Sequence, residues 1–255
     1  MGFDEIKKQD KLYIANTYNR FPTDLECGKG ATLYSSSGDK YVDFGSGIAV
    51  NTFGVNDEEW KSAVIEQLNK IQHASNLYYT RPQAELAQLL CEKTGAKKVF
   101  FSNSGAEANE CAIKAARKYS FDKYGEGRYR IVTLKNSFHG RTMATLSATG
   151  QEGMHRYYMP FLEGFDYAEP TYEGVRSCCS PKTCAVMMEL VQGEGGVRAL
   201  NSDDVKKIAE FCRKKDILLI IDEVQTGNGR TGRLYAYEHY DISPDIVSTA
   251  KGLGG

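Results

Sequence analysis

Ile217-Leu218-Leu219-Ile220-Ile221-Asp222-Glu223-Val224-Gln225 is five apolar residues closed by an acid, and it decides how the rest of the chain reads. A short unbroken apolar run reads as a strand buried on both faces, which belongs to a parallel sheet. Four more short runs resemble it: Val99-Phe100-Phe101, Ile131-Val132-Thr133-Leu134, Ala185-Val186-Met187-Met188 and Ile246-Val247. Several are separated by helical stretches, notably Ala106 to Tyr119 and Asp203 to Lys214. Alternating strands and helices predict an α/β domain with a mostly parallel central sheet flanked by helices. The interval Gln151 to Cys184 shows no period and is expected to be irregular.

The opening is punctuated differently. Leu33-Tyr34 and Tyr41-Val42-Asp43-Phe44 flank a Ser36-Ser37-Gly38-Asp39 turn and predict a hairpin. Asp57 to Leu68 carries Trp60, Val64, Ile65 and Leu68 at helical spacing, and Pro82 opens a second helix with Leu86, Leu89 and Leu90 on one face. We expect residues 1–50 to form a segment of a small domain and residues 51–255 the larger one.

Composition narrows the function classes. Over 255 residues, 41% apolar, 32 basic side chains stand against 33 acidic ones, without the basic excess that nucleic acid or an anionic membrane would demand. The charged N-terminus has no long apolar core and no run reaches membrane-spanning length, so a cytoplasmic protein acting on small molecules is expected. Seven cysteines, an odd and scattered set, read as free thiols. Cys178, Cys179 and Cys184 match no zinc spacing, and no metal is expected.

The residues just past each run carry the chemistry. After Phe101 comes Ser102-Asn103-Ser104-Gly105-Ala106, and after Leu134 comes Ser137-Phe138-His139-Gly140-Arg141. After Met188 comes Glu189-Leu190-Val191-Gln192-Gly193-Glu194, after Ile221 comes Asp222, and after the last run comes Lys251. Ligands of open α/β sheets bind beyond the carboxyl ends of the strands, so five segments would deliver side chains to one edge.

Ser104-Gly105-Ala106, where an apolar run turns into a helix, offers free amides and a helix dipole to a phosphate; it reads equally as a Ser N-cap with a Gly turn. Asp222 would face a cation such as a protonated pyridine nitrogen, or cap the next segment. Lys251 would hold an aldehyde as a Schiff base if desolvation lowers its pKa, or lie solvated. Phe138 and Val224 would close the two faces of a flat ring, Arg141 would pair with a substrate carboxylate, and His139 would orient Asp222. A lysine and an acid so placed suit pyridoxal 5'-phosphate. Gly227-Asn228-Gly229-Arg230-Thr231-Gly232 matches the dinucleotide fingerprint, but it comes too late after its strand and opens no helix.

The segments Phe101 to Glu110, Ser137 to Thr142 and Asp222 to Gly227, closing on Lys251, resemble the acetylornithine/ornithine aminotransferases. Tyr18-Asn19-Arg20-Phe21-Pro22, Gly47 to Val50 and Ser75 to Tyr79 look like the acetylornithine branch. The resemblance implies a fold-type I pyridoxal-phosphate enzyme, normally a homodimer with its sites at the subunit interface. It implies that Lys251 is the Schiff-base lysine, that Gly105 with Ala106 contacts the phosphate, and that Phe138 stacks on the coenzyme. Asp222, Glu223, Val224 and Gln225 would line the pyridine side, Gln225 on the phenolic oxygen. Arg141 would take the substrate carboxylate, and Glu194 would pair with an arginine and swing aside for 2-oxoglutarate. The family continues far past its lysine into a C-terminal small domain, so the chain is expected to be a fragment. Other ω-amino donors, such as ornithine, succinylornithine or 4-aminobutyrate, and a coenzyme-free interaction module stay open.

Overall fold

A computed structural model describes residues 1–255. Its contacts gather into two units, Met1–Leu86 with Gly255, and Ala87–Gly254. The division falls inside a helix, whereas the change of punctuation along the sequence lies near residue 50.

The first unit begins with helix α1 (Phe3–Tyr13) and a three-stranded antiparallel sheet, β1 (Cys27–Lys29), β2 (Thr32–Tyr34) and β3 (Lys40–Val42), in that order. The predicted hairpin is β2–β3, with Leu33 opposite Tyr41. Gly38, at φ +87°, donates to Ser35 O and turns the chain where a side chain would be strained. After a single left-handed turn, α2 (Ser46–Ala49), come α3 (Glu58–Leu68) and α4 (Arg81–Thr94), which runs on into the second unit. Asp57 caps α3 by accepting the Trp60 N–H at 2.9 Å. Neither α3 nor α4 has a buried residue, and the predicted apolar stripe of α3 remains exposed. Periodicity specified these helices; burial needs a partner surface as well.

In the second unit, α5 (Gly105–Tyr124) precedes β4 (Arg130–Leu134), α6 (Met143–Ala148), α7 (Glu152–His155), β5 (Phe165–Ala168), α8 (Tyr172–Cys178) and β6 (Thr183–Met188). A short antiparallel pair, β7 (Val191–Gln192) and β8 (Arg198–Ala199), leads to α9 (Ser202–Lys215), β9 (Leu218–Asp222) and β10 (Ile246–Ser248). The sheet order is β10-β9-β6-β4-β5, and every neighbouring pair is parallel. Successive side chains of a strand point to opposite faces, and the core divides accordingly. Val132, Val186, Met188, Leu219 and Ile221 meet Val205, Ile208 and Cys212 of α9 on one face. Ile131, Ala185, Met187 and Ile220 meet Ala112, Ile113 and Ala116 of α5 on the other. Burying each large side chain contributes about 1.5–3 kcal/mol.

Two expectations fail here. Val99-Phe100-Phe101 is not a strand: no neighbour pairs with it and Phe100 is 70% exposed. An apolar run becomes a strand only when a ladder accepts it. Gln151 to Cys184 is not irregular, since it supplies α7, α8 and the edge strand β5. β5 is mostly half-buried and includes Asp166, which pairs with Arg130 of β4, so it carries no apolar run to read.

Candidate active site

The turns after β4, β6, β9 and β10 and the start of α5 line one cavity within the second unit. Asp222, the last residue of β9, is 4% exposed and carries three hydrogen bonds. Its Oδ2 accepts from Asn109 Nδ2 at 2.7 Å and from His139 Nδ1 at 2.8 Å, and its Oδ1 accepts the Val224 N–H at 3.0 Å. Such bonds offset the cost of removing a carboxylate from water. Asn109 Nδ2 also donates to His139 O at 2.8 Å, so one amide fixes both residues. Burial acts to lower the His139 pKa, but the hydrogen bond and charge of Asp222, with the charge of Glu189, carry it above its ordinary value. His139 Nε2 and Asn109 Oδ1 are buried without a hydrogen-bond partner, polar capacity that the protein leaves unused around the carboxylate.

Lys251 lines the same cavity, half-buried, at φ +47°. A left-handed backbone at a lysine is uncommon and clusters at functional sites. Burial lowers its pKa against the opposing charges of Asp222, Glu194 and Glu189, which moves the amine toward its nucleophilic form.

Gly105 and Ala106 open α5 and line the cavity with its first amides, which have no partner inside the helix. A Cβ on Gly105 would stand 2.6 Å from Val224 Cγ1, so the glycine lets Val224 seat against this turn. Ser104 does not line the cavity. Its Oγ accepts the Glu107 N–H at 3.2 Å, so of its two sequence readings the helix N-cap is the one seen. Phe138, His139 and Gly140 form another wall, with the Arg141 guanidinium 5.9 Å from the Phe138 ring centre. Gly140 has φ +133°, and a Cβ there would meet Thr145 Oγ1 at 2.6 Å, so this loop packs too closely for a side chain. The turn bearing Glu194 touches Gln225: a Cβ on Gly193 would overlap Gln225 Oε1.

Glu223 is the clearest departure from the expected set. It is fully buried away from the cavity, accepting from Thr226 Oγ1 and from the Tyr237 N–H at 2.9 Å. Alternation explains this, since the residue after Asp222 faces the opposite way. Burial raises its pKa. Three cavity residues, Asn109, Gly140 and Glu189, were missed by the sequence reading. Asn109 lies one helical turn beyond Gly105, and Glu189 directly succeeds the run that forms β6, so both carried a positional signal. Gly227 to Gly232 forms turns, with Gly229 and Gly232 at φ +87°, and does not open a helix.

A buried carboxylate, an amine of lowered pKa, a helix start and two apolar walls suit a flat, cationic heterocycle with an acidic tail and a carbonyl group. The Gly105–Val224 fit leaves an apolar wall next to the amides that such a tail needs.

Residues 13–255 match the family model described as aminotransferase class-III. Among similar proteins, an acetylornithine aminotransferase of Haemophilus ducreyi is 51% identical over all of this chain and 65% of its own length. Another, of Caldanaerobacter subterraneus subsp. tengcongensis, is 49% identical over 96% of this chain and 63% of its own length. In structure, the ornithine aminotransferase of Toxoplasma gondii ME49 matches with a TM-score of 0.94 at 28% identity, over 98% of this chain and 60% of that one. The N-acetylornithine aminotransferase of Stenotrophomonas maltophilia K279a gives 0.81 at 36%, over 97% and 62%. The chain thus spans less than two thirds of the length of these relatives.

Proposed function

Because this chain belongs to the class-III aminotransferases, we propose that the whole protein is a pyridoxal 5'-phosphate-dependent acetylornithine aminotransferase. It transfers the terminal amino group of N2-acetyl-L-ornithine to 2-oxoglutarate, giving N-acetyl-L-glutamate 5-semialdehyde and L-glutamate, in arginine biosynthesis. The observation that carries this reading is the placement of Lys251 and Asp222 on one cavity, with Asp222 held by three hydrogen bonds. The acetylornithine assignment draws its support from the named relatives at 49–51% identity.

The coenzyme, when bound, supplies an electron-withdrawing ring that stabilises negative charge at the substrate carbon. Asp222, fixed by His139 and Asn109, would hold a protonated ring nitrogen. Gly105 and Ala106 would give their amides to the phosphate, while Phe138 and Val224 would close the ring faces and exclude water. Gln225 would take the phenolic oxygen. Lys251 would hold the aldehyde, and its Nζ, when free, would take up the proton leaving the amino-bearing carbon and return it to the coenzyme side. Arg141 takes the substrate carboxylate, and Glu194 screens the cavity between the two half-reactions. Residues 1–50 belong to a small domain and residues 51–255 to the coenzyme domain of a cytoplasmic homodimer. No helix is long and apolar enough to cross a membrane.

The test is turnover by the whole protein with 2-oxoglutarate and, in turn, N-acetylornithine, ornithine, succinylornithine and 4-aminobutyrate. The acetylated donor should give the highest kcat/KM; a preference for any other reassigns the donor.

A further inference from the structure

Glu189 has no role in the chemistry proposed for the cavity, yet it lines that cavity at the end of β6 and is only 6% exposed. Its Oε2 accepts the Phe138 N–H at 2.8 Å, and the Gly193 amide faces the same carboxyl and helps hold its charge. These two amides belong to different walls: one to the loop whose ring faces the cavity, the other to the turn that leads into Glu194. The charged groups around it are His139, Asp222 and, more remotely, Lys251. A buried carboxyl serving two backbone donors is expensive to place, and an apolar side chain there would strand both amides.

We propose that Glu189 is a positioning residue, a buried acceptor that ties the Phe138 wall to the Gly193–Glu194 turn and so fixes the ring-stacking face against the substrate-facing one. The inference rests on the proposed coenzyme and adds a residue to its site. The tie requires an acceptor and does not require a charge. Burial pushes the Glu189 pKa up to about 7, so its neutral form is accessible near neutrality and still accepts through its carbonyl oxygen. A glutamine offers the same acceptor.

The experiment titrates the whole protein, Glu189→Ala and Glu189→Gln with pyridoxal phosphate. It follows affinity by absorbance and ring orientation by the visible circular dichroism of the bound coenzyme, with thermal midpoints recorded alongside. Glu189→Ala should bind about tenfold more weakly and lose visible dichroism per bound coenzyme, while Glu189→Gln keeps both near wild type. A role limited to stability would lower the midpoint and leave the dichroism of the bound fraction intact, which overturns the proposal. So does a Glu189→Gln variant as impaired as Glu189→Ala, because charge would then be the requirement. If Glu189→Ala does not fold, Glu189→Gln decides alone: wild-type affinity and dichroism support the tie, and a tenfold loss rejects it. A wild-type protein that takes up no pyridoxal phosphate overturns the coenzyme reading and this inference with it.

Discussion

Asn109 Nδ2 lies 2.7 Å from Asp222 Oδ2 and joins α5, one turn past its start, to the end of β9 across 113 residues of sequence. The bond is buried, and the same amide holds the His139 carbonyl at 2.8 Å. Replacing Asn109 with Leu removes both donors at once and leaves two buried acceptors short of a partner. We expect a loss of about 1–3 kcal/mol in urea unfolding of the ligand-free protein and weaker coenzyme binding. Unchanged values for both would mean that His139 and Val224 suffice to fix the carboxylate.

Gly105→Ala tests the fit between the helix start and Val224. The added methyl would stand 2.6 Å from Val224 Cγ1, so the valine or the turn must move. Overpacking of this kind costs about 1–3 kcal/mol. Affinity for pyridoxal phosphate should fall, and Gly105→Ala/Val224→Ala should recover part of it by vacating the space. No recovery in the double variant would show that the glycine serves another purpose.

The ligand-free protein should lose stability as pH rises through neutrality. Glu189 is held up to about 7 from 4.5 by burial, against the lowering charge of His139. His139 is raised above 6.5 because Asp222 and Glu189 outweigh its burial. In both cases the folded state keeps a proton that the unfolded chain has released. Stability therefore declines as pH climbs from 4.5 toward about 7 for Glu189. For His139 the contribution is complete below 6.5 and is lost through its higher folded value. The urea midpoint should fall between about pH 5 and 8, and Glu189→Gln should flatten the lower part of the slope. A midpoint that rises across that window would contradict this.

The fold was legible where strands are buried on both faces. β4, β6 and β9 read as near-continuous apolar runs, as did the short, half-buried edge strand β10, and the residues just past them reached the cavity because parallel strands end at one edge. β5 was hidden, since an edge strand with Asp166 in it carries no such run, and Val99-Phe100-Phe101 misled because a run specifies burial preference without supplying a neighbour. Within the site, Lys251, Asp222, Gly105 and Phe138 stood at punctuation marks that can be read directly. Glu223 was assigned by adjacency, although period-two alternation already set it facing away from Asp222. Asn109 was overlooked inside a helix although it lies one turn past Gly105, because its bond to Asp222 depends on how α5 packs on the sheet.

Lys251 is the amine proposed to hold pyridoxal phosphate, with Asp222 lining the same cavity. Incubation of the protein with the coenzyme, borohydride reduction and peptide mass spectrometry tests it directly. A single reduced pyridoxyl group on Lys251, absent after Lys251→Ala and reduced in Asp222→Asn, is the predicted result. Label spread over surface lysines, or bound coenzyme that persists unchanged in Lys251→Ala, would contradict it.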